Sequence, residues 1–305
     1  MTGGAVTLVV PASSANLGPG FDALGLALGI YDEVTVEIRD QQGLSVHVDG
    51  VGADVLPGDE SHLVVRALRA GFDRFGGTPS GLAVSCVNRI PQGRGLGSSA
   101  AAIVAGVLAA AGIAAGGDVG EEGLAQVLDV ASRLEGHPDN VAACLFGGFT
   151  VAWSDDQGAR AARLDPAAGL HAVLFVPAAG LPTETARGML PSTVPHQDAR
   201  HAAGRSALLV AALTRRTDLL LPATEDRLHQ PYRAAAMKPT ADLVARLRAG
   251  GLAAVVSGAG PSVLVLLSAD AQEAAAQSEL AGPEWTVLAV PVDRAGAQIS
   301  APLLT

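Results

Sequence analysis

The chain has 305 residues, 49% of them apolar, with 20 basic against 30 acidic side chains and a formal net charge of −10. That length suits two domains, and the apolar share is enough for sizeable cores. The acidic balance argues against nucleic acid and against anionic membrane surfaces as general partners.

Ala5 to Val10 reads as a strand ending at Pro11, and Pro11 to Asp22 as a loop punctuated by Gly, Ser and Pro. Tyr31 to Ile38 alternates apolar and polar residues, a half-buried strand. Leu44 to Val48 does the same, and Asp40-Gln-Gln-Gly43 reads as the turn joining the two. Asp59 or Ser61 is expected to cap a helix that runs to Phe75 and stops at Gly76-Gly77. Leu82 to Asn88 is a strand leading into Pro91-Gln-Gly-Arg-Gly-Leu-Gly-Ser-Ser-Ala-Ala102.

In that segment Gly93, Gly95 and Gly97 precede Ser98 and Ser99 and then an alanine-rich helix. Glycines permit positive φ and close approach, and a helix start offers free N–H groups at the positive end of its dipole. The segment reads as an anion site, most simply for nucleotide phosphates, with a plain strand–turn–helix corner as the alternative. It lacks the Lys of a Walker A loop and the spacing of the dinucleotide fingerprint.

Asp118 with Glu121 reads as a capping box for a helix reaching about Glu135. Gly136-His-Pro-Asp-Asn140 breaks it, and Asp139 sits where a short helix ending at Gly147-Gly148 needs an N-cap. Phe149 to Trp153 is a strand. The hydrophilic turn Ser154 to Gly158 places the expected domain boundary between 155 and 156. Beyond it come a strand at Ala172 to Val176, then helices at about Gln197 to Leu213, Glu225 to Met237 and Pro239 to Ala249. Strands at Ala253 to Val256 and Val263 to Leu267 flank Ser257-Gly-Ala-Gly-Pro261, and a last strand fits Trp285 to Val290. The mixture indicates an α+β protein. Cys86 and Cys144 stand in apolar contexts and read as buried free thiols. With no basic leader and no convincing membrane span, the expected location is cytoplasmic.

Three segments, Pro11 to Asp22, Pro91 to Ala102 and Ser257 to Ser262, resemble in order and spacing the three motifs of the GHMP small-molecule kinases. Within them, Asn16-Leu-Gly-Pro-Gly-Phe-Asp22 is similar to the homoserine kinase branch. So are Glu135 to Asn140, Thr183 to Arg187 and His229 to Arg233. The resemblance implies an N-terminal domain like ribosomal protein S5 domain 2 and a ferredoxin-like C-terminal domain, with the site between them. It also implies ATP and Mg²⁺ as cofactors and L-homoserine as the phosphoryl acceptor. Relatives are often homodimers.

Read residue by residue, Pro91, Gly93, Arg94, Gly95, Leu96, Gly97, Ser98, Ser99 and Ala100 form the expected ATP cradle, with Arg94 reaching either phosphate or solvent. The resemblance places His62 near the adenine, where relatives often carry Asn. Ser98 offers a hydroxyl to phosphate or metal and is equally suited to capping its helix. The resemblance makes Glu135 the Mg²⁺ ligand, at a helix C-terminus where a negative charge is otherwise unfavourable. It assigns Arg187 and Arg233 to the substrate carboxylate with His137 beside them, and Asn16, Asp22 and Asn140 to its amino and hydroxyl ends. Gly258 and Gly260 would form a wall. Glu135, Asn140 and Ser98 are the catalytic candidates, and no base is assigned. A kinase of another small alcohol and a non-catalytic ligand-binding relative are the competing readings.

Overall fold

The structure, a computed structural model, describes residues 5–77, 79–268 and 282–300. Alternating burial builds its first feature, a long antiparallel hairpin. β1 (Ala5–Asn16) buries Val6, Leu8 and Val10, and it pairs with β2 (Gly20–Arg39) from Ala5 opposite Glu37 to Asn16 opposite Gly20. The expected end of the strand at Pro11 is not observed. The ladder shifts register between Pro11 and Ala12, so the missing proline N–H falls at an irregularity and the strand continues. The expected loop is therefore mostly strand.

A second correction concerns the expected hairpin through Asp40 to Gly43. β3 (Gly43–Gly50) does not pair with β2. Between them lies β4 (Gly81–Asn88), antiparallel to β2 and parallel to β3. A parallel pair needs a crossover, and α1 (Leu63–Phe75) supplies it, burying Val64, Leu68 and Phe72. α1 starts at Leu63 rather than at a side-chain cap; Asp59 instead accepts the Ser61 N–H at 2.9 Å.

α2 (Ser98–Ala115) lies almost wholly within the core. By length and composition it could cross a membrane, but its buried surroundings are those of a core helix. Its small residues allow close packing: a Cβ on Gly106 would meet Ala67 Cβ at 2.6 Å. α3 (Gly120–Glu135) and α4 (Asp139–Phe146) follow. β5 (Phe149–Asp155) then pairs with β2, and β6 (Gly158–Leu164) with β5. Asp139 is the first residue of α4, not its cap.

The chain passes to a second sheet between Leu164 and His171, beyond the boundary expected at residue 155. It rejoins the first sheet through β11 (Gln298–Ser300), which pairs with β1. The second sheet contains β7 (His171–Pro177), β8 (Ala253–Val256), β9 (Val263–Leu267) and β10 (Trp285–Val290) in the order β10-β7-β9-β8, all antiparallel. Taken in chain order this is 4-1-3-2, the ferredoxin-like arrangement. Between β7 and β8 run α5 (Thr183–Gly188), α6 (His196–Thr214), α7 (Leu220–Ala223), α8 (Gln230–Arg233) and α9 (Lys238–Ala249).

Candidate active site

A pocket of about 210 Å³ lies where the two sheets' loops meet. One wall is the glycine loop. Gly93, Gly95 and Gly97 have φ of 63°, 70° and 69°, which favour glycine. The first α2 hydrogen bond runs from Ala101 N–H to Gly97 C=O, so the N–H groups of Ser98, Ser99 and Ala100 have no intrahelical acceptor. With the dipole behind them they form an anion cradle. Ser98 and Ser99 line the pocket, whereas the Ala100 side chain is in the core and contributes only its N–H.

The three glycines do different work. A Cβ on Gly93 would meet open space; on Gly95 it would meet Ser257 O at 2.1 Å, and on Gly97 Ser13 Oγ at 2.0 Å. Gly95 and Gly97 thus allow the other two motifs to close on the loop. Ser13 N–H donates to Leu96 O (3.1 Å), and Ser257 Oγ donates to Gly95 O (2.6 Å). Asn16 Nδ2 donates to Gly258 O (2.8 Å), while Asn16 Oδ1 accepts the Asp22 N–H (3.0 Å). Asn16 lines the pocket, yet both ends of its amide hold the frame.

Arg94 does not face the phosphate wall. Its guanidinium donates to the carbonyls of Gln92 (2.5 Å), Pro177 (3.2 Å) and Ala178, fastening the loop to the end of β7. Pro91 and Gly260 are also outside the pocket lining. Gly260 is favoured by its φ of 89°, which L side chains rarely adopt; Gly258 lines the pocket as expected.

The floor is acidic. Glu135 Oε1 accepts from Ser99 Oγ at 2.6 Å, not from Ser98, and burial pushes its carboxyl above the usual range. Asp139, 1% exposed, has its Oδ1 2.5 Å from His137 Nδ1 and 2.7 Å from the Asn140 N–H. Burial disfavours charge on His137, but the bond to Asp139 and its charge outweigh this and hold the imidazole above its ordinary value. Ser13 Oγ donates to Asn140 Oδ1 (2.9 Å), which leaves the Asn140 NH₂ as its other hydrogen-bonding group.

The far wall is cationic. Arg187 makes a bidentate pair with Asp22, at 2.7 and 3.1 Å. Arg233, 1% exposed, donates from Nε to Ala186 O and from Nη1 to His229 Nδ1, each at 3.0 Å. His229 Nε2 lies 2.8 Å from Gly18 O, so the neutral ring with Nε2–H satisfies both contacts. Burial keeps His229 below its ordinary value, consistent with that form. Both guanidiniums lie over the Phe21 ring, a residue sequence reasoning missed. Thr183 was missed as well and lines the pocket.

Ser98 and Ser99 also line a second lobe of about 190 Å³, together with His62, Leu63, Val64, Asn88, Gln92 and Ala102 among others. His62 is 3% exposed, and neither ring nitrogen has a hydrogen-bond partner. Buried polar groups without partners are rare in proteins, and these two are suited to a ligand. A larger cavity, about 410 Å³, lies behind α8. There Asp226 accepts the His229 and Gln230 N–H groups and Arg248 donates to Thr224, Leu221 and Ala254, so those charges are engaged internally.

An anion cradle facing a paired-arginine wall, with the Glu135 and Asp139 carboxylates at its foot, suits a small-molecule phosphotransferase. Residues 62–148 match the family model for the GHMP kinase N-terminal domain, and residues 205–281 that for the C-terminal domain. The chain is 56% identical to homoserine kinase of Streptomyces coelicolor over 97% of its own length and 94% of that protein's. It is 51% identical to homoserine kinase of Clavibacter michiganensis over 98% and 95%. The homoserine kinase structure from Cytophaga hutchinsonii superposes with a TM-score of 0.85 at 28% identity, covering 97% of each chain. Mevalonate kinase of L. major with R-mevalonate superposes at a TM-score of 0.67 and 15% identity over 94% and 96%, a likeness of fold alone. The chain belongs to the GHMP kinases, in their homoserine kinase branch, and is an ATP-dependent kinase.

Proposed function

We propose that the protein transfers the γ-phosphoryl group of ATP to the hydroxyl of L-homoserine, giving O-phospho-L-homoserine for threonine synthesis in the cytoplasm. The observation that carries this reading is that Arg187 and Arg233 line one small pocket with the glycine loop, and that Asp22, outside the lining, is paired to Arg187. A zwitterion entering there exchanges one ion pair for two: its ammonium meets Asp22 while its carboxylate meets Arg187 and Arg233. A substrate lacking either charge leaves a partner unpaired, which disfavours it.

With its charged end so placed, the hydroxyl end lies toward Asn140 and the loop. Phosphoryl transfer depends on positioning and charge neutralisation more than on covalent chemistry. The loop N–H groups hold the ATP phosphates, and the second lobe takes the base against His62. His137 is held toward its charged form by Asp139, so it adds positive charge rather than acting as a base. Glu135 and Ser98 line the same pocket as hard oxygen donors. A half-buried carboxylate bonded to a hydroxyl rather than a cation is suited to Mg²⁺, so these two residues would hold it. Mg²⁺, when bound, neutralises phosphate charge.

The test is an ADP-release assay with Mg·ATP across L-homoserine, shikimate, mevalonate and galactose. Clear preference for homoserine supports the reading; equal or better turnover of shikimate overturns it.

A further inference from the structure

Phe21 lies at the start of β2, between Gly20 and Asp22, just after the turn at residues 17–19. Asn16, Leu17 and Asp22 have φ of 66°, 50° and 55°, unusual for residues with side chains. The turn is also bonded through Asn16 to Asp22 and Gly258. It sets the Phe21 ring 5.8 Å from the Arg187 guanidinium carbon and 5.6 Å from that of Arg233. The same ring contacts the His229 imidazole, centroid to centroid at 5.3 Å.

Two guanidiniums close together repel, and the Arg187 charge works against that of Arg233. Asp22 offsets part of this by a bidentate bond that occupies two Arg187 donors. A second carboxylate would neutralise Arg233 but would also take up donors and compete with the substrate. An aromatic face attracts a cation without accepting a conventional hydrogen bond, so it takes up none of the N–H donors that Asp22, Ala186 and His229 leave over. We infer that Phe21 is a positioning residue for the substrate carboxylate: its ring holds Arg187 and Arg233 together without taking up any of their donors. The inference rests on the reading that these arginines bind that carboxylate.

A residue that only fills space tolerates a leucine of similar bulk, whereas one acting through its ring requires an aromatic. In steady-state kinetics, Phe21→Leu is expected to raise the homoserine KM about tenfold, from the loss of two cation–π contacts. Its kcat and ATP KM should stay within about twofold, and Phe21→Tyr should restore the homoserine KM. Turnover of 3-aminopropan-1-ol, which lacks the carboxylate, should not fall in Phe21→Leu, separating a lost clamp from a lost fold. If the leucine variant loses ATP binding, Phe21→Met supplies the same comparison. Arg187→Ala is measured alongside. An unchanged homoserine KM in Phe21→Leu with an impaired Arg187→Ala overturns the role of the ring alone. An unchanged KM in both variants overturns the carboxylate clamp and the role of Phe21 with it.

Discussion

The two walls of the pocket are made of different material. The phosphate wall is backbone: three positive-φ glycines and the free N–H groups at the start of α2. The opposite wall is side chain: two arginines, a carboxylate and an aromatic ring from β2, α5 and α8. A backbone wall is set by what is missing, since any Cβ can obstruct it. A side-chain wall is set by what is present, since each donor has a partner to lose. The two should therefore fail differently under mutation.

The largest expected effect is on the side-chain wall. Arg187→Ala should lower homoserine kcat/KM roughly 30- to 1000-fold, the loss of about 2–4 kcal/mol for a charge-assisted pair to a carboxylate. Arg187→Lys should recover little, because an ammonium cannot make the paired contact. Near wild-type kinetics in both would mean that Arg187 merely pairs with Asp22.

Next come the glycines, which should separate from one another. Gly97→Val places a branched side chain at positive φ against Ser13 Oγ, so it should lower the melting temperature as well as ATP affinity. Gly93→Ala meets only open space, so its penalty is the φ strain of about 1–3 kcal/mol. Much of that should appear as weakened ATP binding by calorimetry. Equal melting-temperature losses in the two variants would contradict the distinct packing roles.

A smaller effect tests the second lobe. Replacing His62 with Leu removes two buried, unpartnered ring nitrogens. Thermal stability of the nucleotide-free protein should hold or rise, while the ATP KM rises about 2- to 10-fold, the worth of one hydrogen bond. A fall in stability with no change in KM would place His62 in the core rather than at the base.

The smallest effect is a pH dependence. The folded-state value of His137 is raised, so the stability it contributes is complete below its unfolded value near 6.5 and fades as pH rises through the raised one. His137→Asn should flatten the melting-temperature profile above pH 6.5. A profile identical to wild type would show that the His137–Asp139 contact does not couple protonation to folding.

The same contrast explains what could be read in advance. The backbone wall was legible because glycine spacing before an apolar helix signals its geometry directly. The side-chain wall was not legible from pattern: α5 and α8 are six and four residues long, too short for periodicity, and only family resemblance pointed to Arg187 and Arg233. Phe21 gave no signal because a single aromatic at the first residues of a strand has no pattern. Arg94 was open between phosphate and solvent by position, and carbonyls at the end of β7 hold it away from both. Topology failed where a local rule met a tertiary one. Pro11 normally ends a strand, and Gln-Gln-Gly reads as a hairpin turn until α1 and the parallel β3–β4 pair require a crossover.

The division of labour is tested most directly by calorimetric titration of L-homoserine and of a non-hydrolysable ATP analogue into wild type, Gly93→Ala and Arg187→Ala. The expected result is a crossed pattern: Gly93→Ala weakens the nucleotide and spares homoserine, and Arg187→Ala does the reverse. Loss of nucleotide affinity in Arg187→Ala equal to the loss for homoserine would contradict the two-wall account.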